Sequence, residues 1–279
     1  MSAKYSGANS KGNAWAKAIA FSILDVLAIT AWGLLLIKYW VSGSLNLLIH
    51  PDYFWLAIVT GVSLVVIGVL KTIQLVWAVK QRVSNRGQAR RRSVIPPVAV
   101  GQHISLFPPG WSAALLLATA ILGLLITPKV FASQTANQRG VSESVTITRS
   151  QPQAFRSSQK PEERSLVEWV RMLDVNPEPD QYTGQKVKVQ GFVVYPTDSP
   201  LPDQYLLLSR FVITCCAADA YPIGLPVKLT SSSSSFTADT WLEVEGQMIT
   251  ETLGGKRQLT IAATSPPKKI PQPKNPYNY

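Results

Sequence analysis

Lys186-Val187-Lys188-Val189-Gln190-Gly191-Phe192-Val193-Val194-Tyr195 decides the architecture of the C-terminal half. Val187 and Val189 alternate with Lys186, Lys188 and Gln190, and a period of two sends successive side chains to opposite faces of a strand. The alternation recurs in Thr240–Thr250, where Leu242, Val244 and Gly246 interleave with Glu243 and Glu245. With Gln204–Cys216, Tyr221–Leu229 and Arg257–Ala263, five strands are expected, separated by turn signals at Asp198–Asp203, Ser231–Ser235 and Gly254-Gly255. Gly191 and Gly246 fall mid-strand, where glycine permits the bends and bulges of a small barrel. Five short strands in about 80 residues suit an all-β, OB-like Greek-key barrel, with a small open sandwich as the alternative.

Upstream of the strands the period lengthens. Leu166, Trp169, Val170 and Leu173 stand at i, i+3, i+4 and i+7, so one preceding helix should pack an apolar face on the sheet. Pro161-Glu162-Glu163 suits its first turn, since proline needs no amide partner there and acids favour the positive end of the dipole. Asn176-Pro177-Glu178-Pro179 stops it. Residues 134–160, rich in Ser, Gln, Thr and Arg without an apolar period, read as a flexible tether to a domain spanning 161–279.

Residues 1–133 are of another kind. They carry 12 Lys and Arg against Asp25 and Asp52, whereas 134–279 carry 15 against 14 acids, so the formal +11 of the chain belongs to its apolar half. A basic chain often binds nucleic acid, but a nearly neutral β domain with scattered aromatics gives no such surface, and no nucleic-acid partner is expected. Three apolar runs, about 18–37, 53–70 and 111–127, approach the roughly 20 helical residues that cross a bilayer, and aromatic residues flank them. Lys4, Lys11 and Lys17 precede the first run, and the linker 80–110 holds Lys80, Arg82, Arg86, Arg90, Arg91 and Arg92. The loop 38–52 has only Lys38. Cations in short loops mark the cytoplasmic side, so the N-terminus and the linker are expected in the cytoplasm and the C-terminal domain outside. The linker should also attract a bilayer with anionic headgroups. Asp25, the one acid inside a run, is a candidate helix-pairing or functional residue because intramembrane carboxylates are costly.

The chain's two cysteines are adjacent, Cys215 and Cys216, within Arg210-Phe211-Val212-Ile213-Thr214-Cys215-Cys216-Ala217-Ala218-Asp219-Ala220. On an extended strand they would face opposite ways, but the strand should be ending there, and at a bend both sulfurs and Asp219 converge on one site. Three readings stay open. The pair is a core packing feature of a purely structural membrane-assembly protein; or, with Asp219, it is a soft-metal site for zinc or copper; or it is a thiol redox pair. A closed zinc site needs four ligands. The β domain has no histidine, His103 lies in the linker, and His50 in the outer loop approaches only by folding over. A redox enzyme is the weaker reading, because no Cys-x-x-Cys on a helix N-terminus lowers a thiol pKa and no base accompanies the pair.

The wording of the outer domain resembles the YcgQ-like family of bacterial membrane proteins. The resemblance rests on Ser42-Gly43-x-Leu45, Gly191-Phe192, Arg210-Phe211 with Cys216-x-Ala218-Asp219, and Pro276-Tyr277. It implies a partner, a predicted multi-span (YcgR-like) permease, and an accessory or substrate-capturing role. It also draws attention to Arg210, and to Cys215, where the family can carry histidine. The His-rich linker of that family is Arg-rich here, with His103 alone. The expectation is a three-span anchor with an extracytoplasmic OB-like domain that presents a soft metal or metalloid through Cys215, Cys216 and Asp219.

Overall fold

The computed structural model describes residues 6–84, 110–141 and 160–279. The basic linker with Arg86, Arg90, Arg91, Arg92 and His103 lies outside the described residues. The chain divides into two units, one helical and one built on a β-sheet. The short connection Asn46–Pro51 belongs to the second, with Pro128–Tyr279.

The helical unit contains α1 (Ser6–Val41), α2 (Phe54–Ser84) and α3 (Trp111–Leu125). Trp15–Val41 and Pro51–Gln81 are long and apolar enough to cross a membrane. Leu34, Val59, Val66, Leu70 and Trp77 on them are exposed, a surface that water disfavours and hydrocarbon does not. Close contact between α1 and α2 needs glycine. A Cβ on Gly33 would lie 2.8 Å from Val65 Cγ2 and 2.9 Å from the Gly61 carbonyl oxygen. Trp32 Nε1 donates to the Leu116 carbonyl at 2.9 Å, and Tyr39 donates to Gly123 at 2.7 Å. Lys38 Nζ donates to Leu124 at 2.5 Å. These contacts advance in the same direction along both helices, so α1 and α3 run parallel. Lys38 and Tyr39 also satisfy carbonyls that α3 leaves open at its C-terminal end. The expected third span, 111–127, is shorter as a helix: 15 residues rise about 22 Å, below the roughly 30 Å of a hydrocarbon core. Gly110 at φ 88° and Ile126 in extended conformation bound it.

The β unit holds the five expected strands: β1 (Lys186–Val194), β2 (Tyr205–Val212), β3 (Tyr221–Lys228), β4 (Trp241–Leu253) and β5 (Lys256–Ala263). Short β6 (Lys268–Lys269) and β7 (Tyr277–Asn278) add to β4 and β2. The pairings run β1-β2-β3-β5-β4, and β4 pairs again with β1 over Lys186–Phe192. All are antiparallel except β3–β5 and β2–β7. A Cβ on Gly246 would strike the Ala262 carbonyl, so β4 and β5 meet there only because the residue is glycine.

Two details differ from expectation. The second strand stops at Val212 rather than reaching Cys216, and the helix starts later than Pro161. Pro161–Glu163 form a separate 3-10 turn, and α5 (Leu166–Val175) begins behind a capping box. Its Ser165 hydroxyl accepts from the Glu168 amide while the Glu168 carboxylate accepts from the Ser165 amide. Ser165-x-x-Glu168 was a legible signal for that start. Leu166, Trp169, Val170 and Leu173 are buried against Val187, Leu206, Ile223, Val244 and Ile261, as the period predicts.

The first residues of the tether expected over 134–160 are folded. α4 (Ser133–Gln138) and the turn after it put Ala136 and Val141 against Phe192, Phe211, Trp241 and Tyr277 on the other face of the sheet. Residues 142–159 lie outside the described residues. Cover on both faces explains why Tyr205-Leu206-Leu207-Leu208 shows no alternation: each side chain has a buried face to fill.

Asp174 near the end of α5 gives a pH prediction. Burial pushes its carboxyl up to about 6 from an ordinary 3.8, with Arg171 pulling the other way, and Oδ2 is buried without a hydrogen-bond partner. The folded state therefore keeps a proton that the unfolded chain has released, so stability falls as pH rises from about 4 to about 6. Partial exposure keeps the loss on the order of 1 kcal/mol. Asp174→Asn is expected to raise the melting temperature at pH 7 and flatten this dependence in thermal scans between about pH 4 and pH 7.

Candidate functional site: the thiol turn

Because β2 ends at Val212, Thr214–Asp219 form the turn that leads into β3, and the cysteines stand outside the regular sheet. Cys215 is exposed and Cys216 half-buried, and both are free thiols. Neither belongs to a buried cluster, which corrects the core-packing reading of the pair. The turn brings the sulfurs together at 3.7 Å. One ligand atom each from Cys215, Cys216 and Asp219 lies within 4.8 Å of the others.

Asp219 organises the turn. Its Oδ2 accepts the Cys215 amide at 2.8 Å and its Oδ1 accepts the Cys216 amide at 3.2 Å, while its own amide donates to the Cys216 carbonyl at 3.1 Å. This is an aspartate turn of the kind short polar side chains form with nearby backbone. Burial tends to raise the Asp219 carboxyl. Hydrogen bonds from the Cys215 thiol and from the amides of Cys215, Cys216 and Thr214 outweigh it and hold the group below the usual carboxylate range. The same carboxylate, followed by Cys216, pushes the Cys215 thiol up to about 11. At neutral pH the site is a protonated thiol beside a carboxylate, and a cation entering it would displace a proton.

A second segment joins the turn. Ile49, in the connection between α1 and α2, forms an antiparallel bridge with Cys216. The His50 amide donates to the Cys215 carbonyl at 3.0 Å, and the Ala217 amide donates to Leu48 at 2.7 Å. Tyr279 ties the same segment from the other side, its hydroxyl donating to the Asn46 carbonyl at 3.0 Å and its ring meeting His50 edge-on at 5.1 Å. The folding-over that His50 requires is thus present, and sequence reasoning did not find it. Arg139 reaches the far end of the turn, bonding to the Ala220 carbonyl.

Arg210 does not join this site. Its guanidinium donates to the Asn275 carbonyl at 2.9 Å and lies over the Trp241 ring at 5.4 Å, and burial lowers its proton affinity. It anchors the C-terminal tail to β2. Asp25 is an exposed position of α1 in the helical unit.

Residues 160–279 match the family described as the DUF1980 C-terminal domain, an uncharacterised family, so a domain of that kind is present. The match begins just before α5 and takes in every strand and the thiol turn. No curated protein and no solved structure matches the chain.

Proposed function

We propose that this chain is a membrane-anchored capture protein. Its β domain, an OB-like barrel outside the cytoplasm, takes a soft metal ion such as zinc or copper(I) on Cys215, Cys216 and Asp219 and presents it to a multi-span permease. The observation that carries this reading is the gathering of two sulfurs and one carboxylate within 4.8 Å on an accessible turn. Thiolates select zinc and copper(I) among common ions, and a carboxylate adds a hard donor that zinc accepts.

Other observations support the architecture. The additional pairing of β4 with β1 supports reading the sheet as a closed, OB-like barrel. The parallel course of α1 and α3 favours three crossings, with the apolar run continuing past α3 to Thr127. Residues 46–51 belong to the β unit, which favours a loop after α1 and a C-terminal domain on one side of the bilayer. The cations of the first residues and of the linker favour the cytoplasm for the opposite side. Anchoring would hold the domain beside its transporter, so tethering supplies much of the encounter rate. A Cys215 thiol held protonated speaks against a thiol oxidoreductase, whose nucleophile must be a thiolate.

The test uses the full chain, tagged and purified in mild detergent. Zn2+ and Cu+ are titrated against chromophoric chelators, and proteins co-purifying from native membranes are identified. Retention of either ion at micromolar concentration together with a co-purifying multi-span permease is the expected result. Failure to bind both ions overturns the capture role. Purification without a multi-span partner overturns the permease assignment.

A further inference from the structure

We propose that His50 is the fourth ligand of the thiol site, so that the occupant is a tetrahedral divalent ion of the zinc class held by Cys215, Cys216, Asp219 and His50. This rests on the capture reading above and goes further, because it names the closing ligand and couples the ion to the segment between two membrane-crossing helices.

The argument is one of register. The two hydrogen bonds, His50 amide to Cys215 carbonyl and Ala217 amide to Leu48 carbonyl, flank the bridge between Ile49 and Cys216. That pattern makes Ile49 and Cys216 a non-hydrogen-bonded antiparallel pair. The bridge is isolated, and the Cys215 amide turns to Asp219 rather than to the His50 carbonyl, so the pairing goes no further. The bond from the His50 amide to the Cys215 carbonyl still sets the two residues side by side. The two sulfurs and the Asp219 carboxylate form the group without the imidazole, so ligation requires the His50 ring to swing from Tyr279 toward the Cys215 sulfur.

Chemistry points the same way. Three donors from one turn leave a zinc-class ion one protein ligand short of a closed tetrahedron, and neutral imidazole is a common choice for the fourth. The ring now stands against Tyr279, so ion entry would exchange that contact for a metal bond. The exchange links occupancy to the chain: residues 46–51, already joined to the β domain by backbone bonds, Leu47 and Tyr279, would gain a metal bond when the ion is bound. Two segments of the protein that are remote in sequence would then report on one ion.

The experiment uses the full chain in detergent and its His50→Phe variant, which keeps an aromatic ring against Tyr279 and removes both ring nitrogens. Zn2+ affinity is read by competition and the coordination of Co2+ in the same site by visible absorption. The expected result is a tetrahedral Co2+ spectrum with thiolate charge transfer in the parent. The variant loses that spectrum and binds Zn2+ weaker by on the order of 100-fold, the upper end of what a group behind the ligands already costs. Equal affinity and an unchanged Co2+ spectrum overturn His50 as a ligand and leave the capture role standing. Absence of Zn2+ binding in the parent overturns both. Should His50→Phe misfold, histidine ring resonances of the His103→Gln chain with and without Zn2+ decide. A shifted His50 ring supports the assignment, and an unmoved one overturns it.

Discussion

Replacing Cys215 and Cys216 together with serine is expected to abolish retention of Zn2+ and Cu+ at micromolar concentration while moving the melting temperature by less than about 3 °C. The asymmetry follows from where the thiols sit. Both are outside the buried clusters, and the turn is organised by the Asp219 carboxylate and backbone amides, which the substitution leaves in place. Serine cannot supply the soft anionic donor that a thiolate supplies. Chelator competition and thermal scans on the same preparations check both halves. A double variant that still binds sinks the capture reading, and one that unfolds returns the pair to a structural role. The parent protein should also bind more tightly as pH rises. The Cys215 thiol, held up to about 11, must surrender its proton to the ion, so apparent affinity should climb by about tenfold per pH unit for each proton released below that value.

The largest effect on folding is expected from Trp169→Ala. Trp169 is fully buried at the centre of α5, edge-on to Tyr182 at 6.3 Å and beneath the Arg164 guanidinium at 5.0 Å. Truncating it removes an aromatic from the buried face by which α5 packs on the sheet, at a cost of about 3–5 kcal/mol. That is a large part of the roughly 5–15 kcal/mol that stabilises a domain, and the melting temperature should fall by on the order of 10 °C. Trp169→Phe should cost much less. Its indole Nε1 is buried without a hydrogen-bond partner, so phenylalanine removes an unsatisfied donor along with the lost volume. Circular dichroism of the strand signal during thermal unfolding separates the two variants. Equal destabilisation by both would mean that the indole edge packs rather than carries an orphaned donor.

Particular elements show which kinds of structure a sequence exposes. β1 and β4 lie within a few residues of their period-two runs, because alternation is a local property of a half-buried strand. β2 was located despite having no alternation, but its end was not. Leu206, Leu207 and Leu208 fill both faces, so no change of pattern announces the exit at Val212. For α5, the apolar period gave the buried face and Ser165-x-x-Glu168 carried the start, a signal outweighed by the more conspicuous proline. Residues 133–141 fold although they read as tether, because Ala136 and Val141, two small apolar residues in a polar stretch, are enough to dock on an aromatic sheet face.

At the site, adjacency of the cysteines and the nearness of Asp219 were legible, since a turn of a few residues is governed by local chemistry. Arg210 was singled out with them and proved to serve the tail instead, because what a strand residue touches depends on the neighbouring chain rather than on its position.

Composition, periodicity and charge asymmetry alone determined a chain with apolar helices in front and a five-stranded domain behind, for these are summed over many neighbouring residues. Tertiary structure alone decided that Ile49 and His50 lie against Cys215 and Cys216. That bridge joins segments that α2 and α3, among other elements, separate in the sequence, and it is held by backbone hydrogen bonds rather than by side chains, so no side-chain pattern records it.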